Sequence, residues 1–209
     1  MHNIIIHQVE QGSIEWFNLR VGMVTASKFS DIIKNGKGGQ ESQCKLTLIE
    51  ALTAEILINK KLDFGQSFSM KQGVEREPLA KIAYEQKTFN RVDSVGLIQI
   101  EDYYIGCSPD GLINDNGGIE IKCPEPKKHL EYLKSETMPS EYIAQVQGCM
   151  WVSNRKYWDF VSYNPDFPEH LQLKIIRVNR NEEVIAKIEK NAYEVEQAVR
   201  SQVSKLLKV

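Results

Sequence analysis

The chain has 209 residues, 42% of them hydrophobic and 26% charged, and a formal net charge of −2. That length suits one domain with a core of its own, residues 1–209, needing no disulfide or metal staple to fold. The near-zero charge excludes a bulk basic footprint for nucleic acid but leaves room for a local basic channel, and no apolar run approaches the roughly 18 residues of a membrane span.

The opening MHNIIIHQVEQG lacks a basic leader, so a cytoplasmic protein without membrane attachment is expected. Ser13 to Arg20 reads as a short turn or helix. Thr25 is a good N-cap for a segment running to about Lys34, where Asn35-Gly36 stops it. Asn35 to Gln43 is polar and glycine-rich and reads as a loop. Leu46, Ile49, Leu52 and Ile56 fall at helical spacing, predicting a helix from about Gln43 to Asn59. Gly65 to Phe68 interrupts, and a second long helix is expected from about Met70 to Gln86, with Pro78 marking a kink or a new first turn.

The middle of the chain turns β-like, at Val92–Ile100, Tyr103–Cys107 and Ile119–Lys122, with turn chemistry in Asn114–Gly118. Helices at about Lys127–Ser135 and Ser140–Trp151 follow, then strands at Tyr157–Tyr163 and Leu171–Val178. A final helix spans about Glu182 to Leu207, and its stripe of Val184, Ile188, Ala192, Val195, Val199 and Leu206 reads as core packing, with a coiled-coil seam as the alternative. Strands with helices on both sides in sequence predict a mixed α/β sandwich. Cys44, Cys107, Cys123 and Cys149 include no Cys-x-x-Cys pair and read as small buried hydrophobes.

The block that carries chemistry is CSPDGLINDNGGIEIKCP, Cys107 to Pro124. Side chains alternate along a strand, so Glu120 and Lys122 share a face. A return through Asn114–Gly118 would set Glu120 beside Asp110. Two carboxylates that close repel unless a cation joins them, and hard oxygen ligands suit Mg²⁺ or Mn²⁺. A bound divalent ion lowers the pKa of its water near neutrality, and Lys122 could orient that water or steady the charge of a phosphoryl transition state. Glu-x-Lys alone is weak, recurring at Glu85–Lys87 and Glu125–Lys127, and Pro-Asp recurs at Pro165-Asp166. Only Pro109-Asp110 is followed across a strand–turn–strand by such a triplet. The alternative for the block is a solvated hairpin with charged outer residues.

Further blocks accompany it: EWFNLRVGMVTASKFSDII from Glu15, GVEREPLA at Gly73–Ala80 and YIAQVQGCMWV at Tyr142–Val152. Together with SPDGL and GIEIKCP, they make the chain resemble the bacteriophage lambda exonuclease type of alkaline exonuclease, within the PD-(D/E)xK nuclease fold, from about Val9 to Tyr163. The resemblance implies a restriction-endonuclease-like core, a mixed central β-sheet flanked by helices. It implies a Mg²⁺-dependent 5′-to-3′ exonuclease, with Mn²⁺ as a substitute, that degrades one strand of linear double-stranded DNA to mononucleotides. The product would be 3′ single-stranded DNA for recombination. A homotrimeric ring and a single-strand annealing protein as partner are implied as well.

Carried over by resemblance, Asp110, Glu120 and the carbonyl of Ile121 hold the metal, Lys122 is the catalytic lysine, and Glu77 is an acid near the metals. Arg20, Ser27, Ser108 and Gln145 hold the 5′-phosphate, guanidinium gripping phosphate while hydroxyl and amide donors complete the ring. Gln147 competes for the place of Gln145. Lys37 stands where the family tracks the DNA groove, and Met70 where it wedges the duplex end. A structure-selective or restriction-like endonuclease of the same fold is the alternative, and a DNA-binding module with a dead site a third reading.

Overall fold

The computed structural model describes residues 2–34, 42–62 and 75–208, together with the backbone of residues 68–74. In chain order the elements are β1 (Ile4–His7), α1 (Ile14–Leu19), β2 (Val24–Thr25), α2 (Phe29–Ile32), α3 (Gln43–Ile58), α4 (Phe68–Thr88), β3 (Val92–Asp93), β4 (Leu97–Ile100), β5 (Ile105–Cys107), β6 (Gly111–Ile113), β7 (Gly117–Lys122), α5 (Pro126–Lys134), α6 (Ile143–Val152), β8 (Tyr157–Tyr163), β9 (Leu173–Asn179) and α7 (Glu182–Leu206). Local chemistry sets several ends. Ser13 Oγ accepts the Trp16 N–H and Ser42 Oγ the Lys45 N–H, capping α1 and α3. Asn59, left-handed at φ 50°, closes α3. Thr25 precedes a short 3-10 turn without a side-chain cap bond and touches Ser27 instead.

The strands form two mixed sheets flanked by helices, ordered β1-β4-β5-β2 and β3-β6-β7-β8-β9, the mixed α/β architecture that was expected, with two sheets where the resemblance implied one. The expected strand Val92–Ile100 accounts for the difference. It breaks at Ser94–Gly96, sending β3 into one sheet and β4 into the other. At Gly96 a Cβ would collide with the carbonyl of Val9, so a glycine is what lets the two backbones approach there. β1 and β2 were not expected. Ile5 and Ile6 are both exposed, so β1 shows no in–out alternation, and β2 is two residues long.

The second sheet is a β6–β7 hairpin extended by β8, parallel to β7, and β9, antiparallel to β8. A parallel step needs a crossover, here α5 and α6. One face packs on α4 through Ile119, Ile121 and Val161 against Ala80 and Tyr84. Trp158 and Phe160 face the other way, into a larger core shared with α2, α3, α6, α7 and the first sheet. The stripe of α7 joins that core through Ile188, Ala192, Val195 and Val199, while Leu206 is exposed. Likewise Ile49 and Leu52 of α3 are buried and Leu46 is not. Cys107 and Cys149 are buried as expected, but Cys123 is half-buried and Cys44 exposed. No helix among the described residues is long and apolar enough to cross a membrane.

Candidate active site

The register of the β6–β7 hairpin sets Gly111 opposite Ile119, which places Asp110, one residue before β6, level with Glu120. The two are joined through backbone: Asp110 Oδ2 accepts the Ile121 N–H at 2.6 Å. Glu120 is 1% exposed. Its Oε1 accepts Lys122 Nζ at 2.6 Å and Gln145 Nε2 of α6 at 2.7 Å. Its Oε2 is buried with no hydrogen-bond partner. The Lys122 ammonium also lies 5.0 Å from the centre of the Tyr142 ring, which stacks on Phe160. Asp110, Glu120 and Lys122 therefore converge as the spacing implied. Gln145 rather than Gln147 reaches them; the Gln147 amide bonds the Asn179 carbonyl instead.

The charges are unevenly placed. Burial first, then Glu120 and Glu77, holds the Asp110 carboxyl well above the ordinary carboxylate range, against the pull of Lys122 and the Ile121 N–H. Burial works against the Lys122 ammonium, yet Glu120 and Asp110 outweigh it and keep the lysine charged. Glu77, paired with Lys81 at 2.9 Å on α4, shares a cavity of ≈ 790 Å³ with Asp110, Trp16 and Gly96.

These residues fit a small divalent cation. A buried carboxylate oxygen without a donor, Glu120 Oε2, lies beside a second carboxylate that resists ionising alone. Along a strand the N–H and C=O of one residue face the same neighbour. The Ile121 N–H faces Asp110, so its carbonyl opens to the same edge. Among the described residues no group of three His, Cys, Asp or Glu side chains gathers as a metal cluster. That donor set suits Mg²⁺, which keeps several waters and takes only one or two carboxylates.

The residues expected to hold a terminal phosphate separate into two groups. Gln145 stands on Glu120. Arg20 and Ser108 are joined by Trp16, whose ring lies 3.8 Å from the Arg20 guanidinium carbon and whose Nε1 donates to Ser108 Oγ at 2.9 Å. Burial lowers the Arg20 pKa to about 10, with Glu55 opposing, and Arg20 Nε is buried without a partner. Ser27 is exposed and bonded to Thr25 Oγ1 at 3.2 Å. Lys37 and the side chain of Met70 lie outside the described residues. Sequence reasoning missed Trp16, Tyr142 and Glu55. Glu55 is 1% exposed and accepts the Gly22 N–H and Lys61 Nζ.

Solved structures give the class. The alkaline exonuclease LHK-Exo from Laribacter hongkongensis is 32% identical, with a TM-score of 0.84 over 94% of this chain and 97% of that one. Its complex with dAMP matches to the same extent. A phage related exonuclease from Haemophilus somnus 129PT shares the fold at 16% identity and a TM-score of 0.65, over 88% of this chain and 96% of that one. The protein is thus an alkaline exonuclease homologue, as its motifs implied. No curated protein matches the sequence. The YqaJ-like viral recombinase domain matches residues 15–156, and the chain belongs to that family.

Proposed function

We propose that the protein is a Mg²⁺-dependent 5′-to-3′ exonuclease, a single nuclease domain over residues 1–209. It would degrade one strand of linear double-stranded DNA to mononucleotides and leave 3′ single-stranded DNA for recombination. The observation that carries this reading is the bare, buried Glu120 Oε2 beside Asp110 and Lys122. Asp110, Glu120 and the Ile121 carbonyl would hold the ion, which when bound supplies an acidified water and neutralises phosphate charge. Mn²⁺, with the same taste for oxygen, would substitute. Lys122 Nζ, held by Glu120 and the Tyr142 ring, would orient the attacking water by a hydrogen bond to its oxygen or set its charge against a phosphoryl oxygen. Gln145 fixes the rotamer of Glu120, and Glu77 completes the acidic wall from α4. Arg20, Ser27 and Ser108, with Gln145 at the boundary, would receive the 5′-phosphate; Lys37 would follow the groove and Met70 wedge the duplex end. The relative that binds dAMP supports a nucleoside monophosphate product.

Cytoplasmic action as a homotrimer, with a single-strand annealing protein as partner, belongs to the same proposal. A net charge of −2 cannot hold DNA by bulk attraction, whereas a ring would hold it by enclosure. The test is to incubate end-labelled linear duplex and covalently closed circular duplex with and without Mg²⁺. The expected result is Mg²⁺-dependent loss of the 5′ label as mononucleotide, with the circle intact. Cutting of the circle would favour the structure-selective endonuclease, and binding without cleavage the dead-site module.

A further inference from the structure

Trp16 stands between two groups that the proposed phosphate pocket uses. Its ring face carries the Arg20 guanidinium, with 3.8 Å from ring centre to Cζ. Stacking occupies the faces of a guanidinium and leaves its in-plane N–H edge for an acceptor. Arg20 Nε is a buried donor without one. The nearby carboxylate is committed elsewhere: Glu55 Oε2 accepts the Gly22 N–H at 3.0 Å and Lys61 Nζ at 2.7 Å, and Oε1 accepts the Leu62 N–H at 3.3 Å.

The other edge of the same indole sets a hydroxyl. Trp16 Nε1 carries one hydrogen, shared between Ser108 Oγ at 2.9 Å and the Gly96 carbonyl at 3.0 Å. A serine oxygen that accepts on one lone pair keeps its own proton to donate. Ser108 stands two residues before Asp110, and with one lone pair taken by the indole its hydroxyl can still donate to an oxyanion. The Gly96 carbonyl anchors the indole in turn, at the break between β3 and β4.

We propose that Trp16 is the positioning residue of the terminal-phosphate pocket, its ring face setting the Arg20 fork and its N–H setting the Ser108 hydroxyl, so that a 5′-phosphate is told from a 5′-hydroxyl through one indole. This rests on the phosphate-pocket reading above. Trp16→Phe separates the two contacts, keeping a ring under Arg20 and removing the N–H. Trp16→Leu removes both.

The experiment measures initial rates on two linear duplexes that differ only in a 5′-phosphate or 5′-hydroxyl. It uses wild type, Trp16→Phe, Trp16→Leu, Ser108→Ala and the double variant Trp16→Phe/Ser108→Ala. The readout is the ratio of the two rates, which a merely structural residue would leave unchanged. Wild type should favour the phosphate by about tenfold or more, the worth of one charge-assisted bond. Trp16→Phe should lose as much of that ratio as Ser108→Ala, and the double variant no more than either, because the indole N–H acts through that hydroxyl. Trp16→Leu should lose more; if it fails to fold, Trp16→Phe carries the test alone. A wild-type preference that survives Trp16→Phe, or losses that add in the double variant, would overturn the role of Trp16 and spare the pocket. No preference in wild type would overturn the pocket and this role with it.

Discussion

Glu120 and Asp159 stand on neighbouring parallel strands, β7 and β8, and each is 1% exposed. They point to opposite faces of the sheet and are treated oppositely. On the α4 face Asp159 is fully satisfied: Tyr84 Oη donates at 2.7 Å, and Arg177 donates through Nε and Nη2, each at 2.8 Å. That guanidinium is backed by the Tyr157 ring at 4.0 Å. On the α6 face Glu120 has two donors crowded on one oxygen and none on the other. A buried acceptor left bare costs about 1–3 kcal/mol. Burial alone therefore does not mark a functional carboxylate. What sets Glu120 apart is a lone pair that the fold leaves unused, next to a second acid and a lysine.

The largest expected effect separates the two acids by activity. Glu120→Gln, Asp110→Ala and Lys122→Ala should each lower the rate on linear duplex by about 10²–10³ or more, the usual loss of a transition-state group. For Glu120→Gln the melting temperature should stay near that of wild type, because the amide keeps the shape of the carboxylate. Wild-type turnover in any of the three, measured in Mg²⁺, would remove the site. The reverse pattern is expected across the sheet. Asp159→Ala should cost about 1–3 kcal/mol in urea unfolding by stranding the Tyr84 hydroxyl. The loss should fall short of the roughly 3–5 kcal/mol of a wholly buried pair, because the Arg177 side chain is 52% exposed and can turn to water. The rate per folded molecule should not change; a fall matching that of Glu120→Gln would erase the distinction between the faces.

The two faces were not equally legible in the sequence. Asp110, Glu120 and Lys122 could be placed because a hairpin obeys local rules: alternation, a turn rich in Asn and Gly, and a register fixed by the turn. The helices from α3 to α7 were readable for the same reason, since caps and periodicity are local. Trp16 was not legible as a site residue, because its partners Gly96 and Ser108 lie far along the chain, brought near by strands whose sheets the sequence did not separate. Asp159 lies within the expected strand Tyr157–Tyr163, but its partners Tyr84 and Arg177 come from α4 and β9, which spacing along one strand does not reveal. Alternation could not reveal β1, an edge strand with neighbouring isoleucines exposed. The expected strand divides at Ser94–Gly96, and the close approach of Gly96 to the Val9 carbonyl there is a tertiary contact that local propensity does not register.

The smallest effect is a pH dependence that sharpens the contrast between a satisfied and an unsatisfied acid. Burial, with Glu120 and Glu77, raises the Asp110 pKa in the folded protein above its value in the unfolded chain. Below about pH 4, the ordinary carboxylate range, Asp110 is protonated in both states and costs nothing. As pH rises, the unfolded chain releases the proton first, so the folded state loses stability until pH passes the raised folded value. Other groups titrate too: burial disfavours the charged form of His129, which takes stability away as pH falls below about 6.5. Such contributions cancel between wild type and Asp110→Asn, a variant that still accepts the Ile121 N–H. In chelator, the variant should therefore gain stability over wild type as pH rises from about 4 towards neutrality. Mg²⁺ competes with the same proton, so it should stabilise wild type progressively more over that range and leave Asp110→Asn unmoved. Thermal melts of both proteins across pH, with chelator and with Mg²⁺, measure all four curves. A gap that narrows as pH rises would mean that the folded protein depresses the Asp110 pKa; a Mg²⁺ effect equal in both proteins would place the ion elsewhere.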